Sequence, residues 1–315
     1  MKKILFYSFA LLIITACAGN PDAYLLLTDS NKKVGCTDPL ANNYLSTALT
    51  DDCSCEYNFT STISTPPNQF TQKVLIEKFT GAWCGWCPDG TDVIKSIEQA
   101  NPNKIVAVEI HQQDPMELPN LYNYFATLFS SVGNFPFPAA LINRVPSIQN
   151  SQQLMENRQH WTGNVTSELQ KTPAVGLAIE TKPSSNAGQE DIMVKIAFKE
   201  TSNTDMQLVL YLIENKVAYR QNRYYSNGNP GGYITDYEHN HVIRQAILGN
   251  EGLTIASCGS KAGSVYTRLL RANLNGFQRD NCEIVAFVIN KTNLASPMRV
   301  ANVQKTKLGT SKNWD

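Results

Sequence analysis

Three short apolar runs alternate with helical patterns between residues 71 and 172 of the chain. An apolar run of four to eight residues is typical of a buried strand, whereas apolar residues spaced three and four apart indicate one face of a helix. The order predicts an α/β domain with parallel strand pairs and crossover helices. The predicted strands and helices are Val74–Phe79, a helix carrying Val93, Ile94 and Ile97, Lys104–Ile110, a helix from Leu121 to Phe129, Ala139–Asn143, and a helix from Ser151 to Leu169.

Beyond Pro173 the pattern changes to strands without helical periodicity between them. Ile192, Val194, Ile196 and Phe198 alternate with polar residues, and residues 208–213 are apolar on both faces. Such a series predicts an antiparallel β-sandwich over residues 173–308, with an immunoglobulin-like architecture. A long tyrosine-rich loop, residues 220–240, interrupts it. A loop of that length is usually either functional or disordered, and its tyrosines favour a binding surface or an ordered flap.

The N-terminal residues have the pattern of a secretion signal. Two lysines precede an apolar stretch that ends immediately before Cys17, which resembles a bacterial lipobox. Residues 1–16 are therefore predicted to be a lipoprotein signal peptide and Cys17 to carry acyl chains, which anchor a protein stably when several are present. The alternative is an ordinary signal peptide followed by an unmodified cysteine. Ala18 after the cysteine favours the outer membrane by resemblance to other lipoproteins; which face of that membrane it occupies stays open.

Residues 17–70 are polar and predict a tether that contains a small disulfide module, residues 36–57. The module resembles a short repeat of secreted bacterial proteins that is distantly similar to thrombospondin type 3 repeats. The resemblance implies a Cys36–Cys55 disulfide and leaves Cys53, which replaces a glycine of the repeat, as the unpaired thiol. Carboxylates of the module could bind calcium, although solvated turn carboxylates are favoured; they are Asp38, Asp51 and Asp52.

Composition and charge exclude several classes of protein. The 315 residues contain 27 basic and 27 acidic side chains. This balance argues against nucleic acid as a partner, because such binding depends on neutralising phosphates. After the signal peptide no apolar stretch approaches the ~20 residues of a membrane-spanning helix, so only the lipid anchor would contact a membrane. The sequence has no heme, flavin or nucleotide signature, and no cofactor is expected.

The cysteines indicate an oxidising compartment. Apart from Cys17, seven remain of the eight in the chain, so at least one has no intramolecular partner. Disulfides persist outside the cytosol. Cys258 and Cys282 are predicted to form a structural disulfide in the sandwich.

The motif Trp83-Cys84-Gly85-Trp86-Cys87-Pro88 lies where the first predicted strand leads into the first helix. A structural zinc site needs four ligands, and the sequence has no second C-x-x-C, so no metal is assigned to this pair. Unpaired backbone N–H groups at a helix start favour a thiolate. Cys84 is therefore predicted to be the exposed attacking thiolate, and Cys87 the shielded thiol that resolves a mixed disulfide.

The segment from Phe79 to Pro88 resembles the active-site turn of thioredoxin-fold proteins. The resemblance implies a cis-proline opposite the cysteines, for which Pro138 is the candidate and Pro136 the alternative. It also implies a buried acid six residues before the first cysteine. That position is Lys78, so either Glu77 beside it takes over the role or turnover is slow.

More narrowly, residues 70–308 resemble the Omp-twenty-eight-related outer-membrane lipoproteins, in which a thioredoxin-like domain precedes a β-sandwich. Two segments carry this resemblance, "EKFTGAWCGWCP" and the residues from Tyr237 to Arg244. Within the second segment His239 and His241 would place both rings on one face of a strand. A metal site there lacks an evident third ligand, so a hydrogen-bonded histidine pair beside the tyrosine-rich loop is favoured.

Two functions remain open at this point. The first is an envelope thiol–disulfide oxidoreductase that acts on the thiols and disulfides of envelope proteins, with Cys84, Cys87 and Pro138 at its centre. The second is a non-catalytic outer-membrane lipoprotein that binds a surface partner and keeps the Cys84–Cys87 disulfide for structure alone.

Overall fold

The computed structural model describes residues 33–129, 136–149, 154–225, 227–291 and 298–315. The predicted signal peptide, residues 1–16, and the predicted lipidation site Cys17 lie outside the described residues. No helix within these ranges is long and apolar enough to cross a membrane.

The described chain begins with a small module and continues into a region of mixed strands and helices. Helix α1 follows β3 after a turn of six residues, 81–86, and α3 ends just before the predicted boundary at residue 172. The elements are β1 (Val34–Gly35), β2 (Thr50–Asp51), β3 (Val74–Thr80), α1 (Cys87–Ala100), β4 (Ile105–His111), α2 (Leu121–Leu128), β5 (Ala139–Ile142), β6 (Met155–Asn157) and α3 (Trp161–Leu169).

The predicted long helix from Ser151 is wrong in its first part. Ser151 lies outside the described residues, Met155–Asn157 forms strand β6 beside β5, and the helix begins at Trp161. The mixed apolar and polar residues before Trp161 fit either a helix or a strand. They form a strand because they pair with β5. The expected parallel pairing holds for β3 and β4, whereas β5 pairs with β3 antiparallel.

The second half of the described chain consists almost entirely of strands. They are β7 (Val175–Pro183), β8 (Gln189–Phe198), β9 (Met206–Glu214), β10 (Val217–Ala218), β11 (Gln221–Tyr224), β12 (Pro230–Ile234), β13 (Glu238–His239), β14 (Val242–Ala246), β15 (Leu253–Thr254), β16 (Val265–Asn273), β17 (Cys282–Asn290), β18 (Arg299–Lys307) and β19 (Ser311–Lys312). The molecule is thus predominantly β-structured, with several sheets.

One nine-stranded sheet runs through both halves. Its order is β18-β17-β9-β14-β4-β3-β5-β6, with β15 added beside β9. The two halves meet where β14 pairs in parallel with β4, at Val242 and Glu109. A four-stranded sheet, β16-β8-β7-β19, completes the sandwich. The predicted sandwich therefore shares one of its sheets with the preceding α/β region.

Strand alternation divides the core of the large sheet into two faces. One face is continuous across both halves; it contains Leu75 and Phe79 of β3 with Val209 and Tyr211 of β9, and α2 packs on it through Phe125. The opposite face is covered in two ways. Helices α1 and α3 cover the β3 and β4 part, and the four-stranded sheet covers the β9 and β17 part.

Residues 33–70, predicted to be part of a tether, pack against the sandwich rather than extending freely. Asp38 of the small module forms an ion pair with Arg268 of β16 at 3.2 Å. Farther along, the backbone N–H of Thr62 donates to Glu180 of β7 at 2.7 Å. The carboxylates considered for calcium are hydrogen-bonded to nearby groups: Asp38 accepts from Tyr57 Oη, Asp51 from the N–H of Cys53, and Asp52 from Ser54.

The structure joins Cys36 to Cys55, the pair that the repeat resemblance implies. It contradicts two other expectations. Cys53 is not an unpaired thiol, because it bonds to Cys258 across 205 residues of sequence, and the predicted Cys258–Cys282 disulfide does not form. Cys282 is a free thiol that points into the sandwich core from β17 and is only 1% exposed. Burial, with a smaller contribution from Glu214, raises the pKa of the Cys282 thiol to about 12.

Candidate functional site

The C-x-x-C motif occupies the turn between β3 and α1. The turn closes through two backbone hydrogen bonds, from Cys84 N to the carbonyl of Gly81 at 2.9 Å and from Cys87 N to that of Cys84 at 3.2 Å. Helix α1 begins at Cys87, and Pro88, which lacks an N–H, occupies its first turn as a helix tolerates there. Cys84 and Cys87 are joined as a disulfide with their Cα atoms 5.4 Å apart.

Cys84 is not the exposed residue that the sequence analysis predicts. It is 4% exposed and Cys87 is 1% exposed, whereas the neighbouring Trp83 is 42% exposed. The turn is covered by the hairpin of β11 and β12, which we call the tyrosine hairpin (Gln221–Tyr224 with Pro230–Ile234). It comes from the tyrosine-rich loop and lies over the motif. Sequence periodicity could not reveal this contact, because the two segments are far apart in the chain.

Hydrogen bonds attach the tyrosine hairpin to the backbone of the cysteine turn. Gln221 Nε2 donates to the carbonyl of Cys84 at 2.8 Å. The backbone N–H groups of Asn222 and Tyr224 donate to the carbonyls of Ala82 and Gly85 at 2.8 and 2.9 Å. Of the two interpretations of the tyrosine-rich loop, a binding surface or an ordered flap, the structure favours the ordered flap.

Gly85 is required by the close approach of the hairpin. A Cβ atom at this position would lie 2.3 Å from the ring of Tyr224, far inside van der Waals contact. The same tyrosine ring packs edge-on against Trp86, with ring centroids 5.7 Å apart. The glycine between the two cysteines therefore fits the flap as well as the turn.

Pro138 lies against the first turns of α1. The Phe137–Pro138 peptide bond is cis, and a Cβ atom at Gly90 would be 3.0 Å from the Pro138 ring. Phe137 stacks on Trp83 with ring centroids 5.5 Å apart. The structure thus brings the segment before β5 next to the cysteine turn, whereas the alternative, Pro136, is an exposed residue.

Glu77 does not take the place of the acid that Lys78 replaces. Alternation along β3 turns Glu77 to the opposite face of the sheet, where it forms a buried two-pronged ion pair with Arg144 at 2.6 and 2.7 Å. Lys78 faces α1 and donates to Thr91 Oγ1 at 2.6 Å and to Glu109 Oε1 at 2.7 Å. The buried acid on this face is therefore Glu109, directly across from Lys78 in the β3–β4 register.

A chain of charged groups continues from Glu109 toward the cysteine turn. His111 Nδ1 lies 2.7 Å from Asp114 Oδ2, and that carboxylate accepts a hydrogen bond from the N–H of Ala82 at 2.7 Å. Burial opposes ionisation of Glu109, yet the Lys78 ammonium and the His111 ring lower the pKa of Glu109 below its usual range. Burial likewise opposes the charged form of His111, but Asp114 and Glu109 outweigh it and raise the pKa of His111.

The sequence analysis missed Glu109, His111 and Asp114. A usable signal was present, because Glu109 and His111 are the two polar residues of an otherwise apolar buried strand and stand two apart. That spacing places both side chains on one face of β4. Only the β3–β4 register, however, shows that they lie behind the cysteine turn.

The predicted hydrogen-bonded pair of His239 and His241 is wrong. His239 ends β13 and is buried, while His241 has a left-handed backbone with φ of 60°, so the two rings do not share a strand face. His239 instead packs against His111, with ring centroids 5.3 Å apart. Burial, followed by the neighbouring His111, lowers the pKa of His239 to about 4.

A small pocket opens beside the cysteine turn where it meets the tyrosine hairpin. Its volume is about 120 Å³, and its lining includes Trp83, Asp114, Arg220, Asn222 and Tyr233. Arg220 lies over the ring of Tyr233, which is 57% exposed. The surface next to the buried disulfide thus combines aromatic faces with one cation.

These features define an oxidised, disulfide-containing protein of predominantly β structure. The family model described as "Outer membrane protein Omp28" matches residues 126–312, which is more than half of the chain. The chain belongs to this outer membrane protein family, as the sequence resemblance predicts. The match begins after the C-x-x-C motif, so family membership by itself carries no argument about the cysteines.

One solved structure supports the fold. HBP35 of Porphyromonas gingivalis is similar at 18% identity with a TM-score of 0.58, covering 76% of each chain. A protein of Agrobacterium tumefaciens matches at 11% identity with a TM-score of 0.46, covering 78% of this chain and 99% of that one, too low a score to carry an argument. No curated protein matches this sequence.

The tyrosine hairpin generates a direct prediction about access to the disulfide. In a Gln221→Ala variant the hairpin loses a hydrogen bond to Cys84, worth a net ~0.5–1.5 kcal/mol. If reduction requires the hairpin to open, a phosphine reductant should reduce Cys84–Cys87 roughly 2- to 10-fold faster than in the wild type, as that energy range implies. Quenched alkylation and mass spectrometry measure this rate.

The matched control is Gln245→Ala, because Gln245 also donates one side-chain hydrogen bond to a backbone carbonyl, that of Asn273, away from the cysteines. We expect its reduction rate to equal that of the wild type. Equal rates for all three proteins would show that the reductant reaches Cys84 without opening of the hairpin.

Proposed function

We propose that this chain is an envelope thiol–disulfide oxidoreductase, anchored in the outer membrane by lipid on Cys17. Residues 71–172 would form its thioredoxin-like unit. The observation that supports this function best is the Cys84–Cys87 disulfide at the start of α1, with Pro138 packed against the same helix. A disulfide needed for structure alone would not require this position.

The chemistry is an exchange of two electrons between two pairs of sulfurs. In the reducing direction the Cys84 thiolate attacks a substrate disulfide, a mixed disulfide forms, and one substrate thiolate leaves. The Cys87 thiolate then attacks Cys84 Sγ, which releases the second substrate thiolate and restores the Cys84–Cys87 disulfide. The substrate disulfide is reduced and the protein dithiol is oxidised; the reverse sequence oxidises a substrate dithiol.

The role of each residue follows from its place in the turn. The start of α1 favours negative charge, so it stabilises a thiolate formed nearby. Cys87 is nearly fully buried under the turn, so it does not meet the substrate directly and acts in the resolving step. Phe137 stacks on Trp83 and Pro138 packs against α1, and we assign the backbone there to hold an extended substrate segment.

The substrates would be the thiols and disulfides of envelope proteins. Cys84 is covered by the tyrosine hairpin, so a substrate must first displace β11 from the carbonyls of Ala82, Cys84 and Gly85. A polypeptide can replace those backbone hydrogen bonds with its own, whereas a small thiol cannot. The exposed rings of Trp83 and Tyr233 offer apolar contacts at the edge of this path.

A second candidate has one specific observation in its favour. Cys84 is 4% exposed in the oxidised state, and the hairpin closes over it with several hydrogen bonds. A non-catalytic surface-binding lipoprotein would show the same burial, with Cys84–Cys87 holding the turn under the hairpin.

Trapping of mixed disulfides separates the two candidates. In a Cys87→Ser variant Cys84 cannot be resolved, so it should accumulate adducts with envelope proteins that run as new bands on non-reducing gels. The control is a Cys84→Ser/Cys87→Ser double variant, which should remain free of adducts. A Cys87→Ser chain that stays monomeric, even when Gln221→Ala is added to loosen the hairpin, would refute the oxidoreductase and leave the binding function.

The lipid anchor is tested at the N-terminus. Processing at the lipobox should leave Cys17 as the first residue of the mature chain, carrying acyl chains that mass spectrometry detects on its peptide. In a Cys17→Ala variant both the acyl chains and the processing at the lipobox should be lost, so the chain should run as the uncleaved precursor. A mature chain with an unmodified Cys17 would show that the signal peptide is an ordinary secretory one.

A further inference from the structure

Three buried side chains from both halves of the chain converge behind the cysteine turn. Glu109 and His111 come from β4, and His239 comes from β13; we call them the histidine cluster. Their exposures are 5%, 2% and 3%. One ligand atom from each, a carboxylate oxygen or a ring nitrogen, lies within 4.8 Å of those from the other two. Neither Cys84 nor Cys87 belongs to this cluster.

Two of these atoms are buried nitrogens without a hydrogen-bond partner in the described part of the chain. They are Nε2 of His111 and Nε2 of His239. Glu109 Oε2 approaches His111 Nε2 at 3.4 Å, which is long for a charged pair. Leaving a buried polar atom unsatisfied is costly, so two such nitrogens beside one carboxylate indicate that a ligand belongs among them.

The surrounding groups prepare the cluster for a cation. Asp114 Oδ2 lies 2.7 Å from His111 Nδ1, so His111 can donate from Nδ1 and present the lone pair of Nε2 to the cluster. A carboxylate behind a ligating histidine is the usual arrangement that orients such a ring at metal sites. Lys78 pairs with Oε1 of Glu109, which leaves Oε2 on the side of the histidines.

We propose that Glu109, His111 and His239 bind one divalent transition metal ion of the Zn²⁺ class. Two imidazoles and a carboxylate are ligands that Zn²⁺ accepts, with a solvent molecule in the fourth position. Bond lengths of ~2.0–2.2 Å in a tetrahedral site place ligand atoms roughly 3.3–3.5 Å apart. The present spread of up to 4.8 Å requires the side chains to move inward by about an ångström.

The carboxylates around the site offset part of the charge of such an ion. With an ion bound, Glu109 and Asp114 contribute two negative charges and Lys78 one positive charge, and the histidines, which must be neutral to bind the ion, add none. A divalent ion changes the net charge of these groups from −1 to +1. Without the two carboxylates, the same ion beside Lys78 would give a net charge of +3. The ion would also join β13 to β4, and therefore the segment after the tyrosine hairpin to the first half of the chain.

Metal titration of the full untagged chain tests this site. The protein is stripped with a chelator and kept oxidised, so that cysteine thiolates cannot compete, and is titrated with ZnCl₂ by calorimetry and with CoCl₂ by visible absorption. We expect one ion per chain, visible Co²⁺ bands of a tetrahedral site with nitrogen and oxygen ligands, and a higher melting temperature with the ion than without it.

Variants assign the ligands. His239→Gln should abolish the tetrahedral Co²⁺ bands and weaken Zn²⁺ binding by at least ~100-fold, because it removes a ligand. Asp114→Asn should weaken binding by ~10- to 100-fold, the usual effect of removing a group that orients a ligand. His160→Gln is the matched control, because His160 contacts Glu156 on a different part of the chain and should bind the ion as the wild type does.

Several outcomes would overturn the proposal. They are a wild-type chain that does not bind Zn²⁺ at micromolar concentrations, His239→Gln binding as tightly as the wild type, or His160→Gln losing the ion. If His239→Gln does not fold, the Asp114→Asn and Glu109→Gln chains decide, and unchanged affinity in both would count against the site. The result is independent of the oxidoreductase proposal, because the ligands include neither cysteine of the motif.

Discussion

The arrangement of this molecule depends on a short contact between β4 and β14. Val242 pairs with Glu109, and the N–H of Glu109 donates to the carbonyl of His241 at 2.7 Å. This pairing converts two sheets into one, because β14 also pairs with β9 on its other side. Strand β9 is buried along its whole length, so packing on both faces fixes its position. Because β14 pairs with both β9 and β4, the packing of β9 also fixes the position of β4.

The position of the residues just before β14 depends on that contact. With Val242 beside Glu109, His239, three residues earlier, lies near the end of β4, and the chain that carries the tyrosine hairpin lies close to the cysteine turn. Gln221 then reaches the carbonyl of Cys84, and His239 reaches His111. Both the burial of the disulfide and the histidine cluster are thus consequences of the same strand pairing, although each involves different side chains.

Local pattern was sufficient to predict much of this structure. The apolar runs located β3, β4 and β5, and the motif between a strand and a helix located the cysteine turn. The prediction of Pro138 as the candidate beside that turn followed from a resemblance, and the structure places this proline against α1. The alternation of residues 208–213 likewise indicated a strand buried on both faces, as β9 is.

Long-range contacts account for what the sequence analysis missed. Cys53 and Cys258 are 205 residues apart, and no local pattern distinguishes this pair from Cys258 and Cys282. Glu77 and Lys78 are neighbours in sequence, but alternation places them on opposite faces, and only the register with β4 identifies Glu109 as the acid beside Lys78. The docking of the hairpin depends on the β4–β14 pairing, which a single sequence does not reveal.

Native-state hydrogen exchange tests whether the two halves form one cooperative sheet. The amide of Glu109, with those of β3 in the first half and β9 in the second, should open only with global unfolding, so all three should show the same free energy of opening at low denaturant concentration. A Glu109 amide and a β3 that exchange through a lower-energy opening, while β9 stays protected, would show that the halves are independent. The β4–β14 contact would then not be the constraint that positions the hairpin and His239.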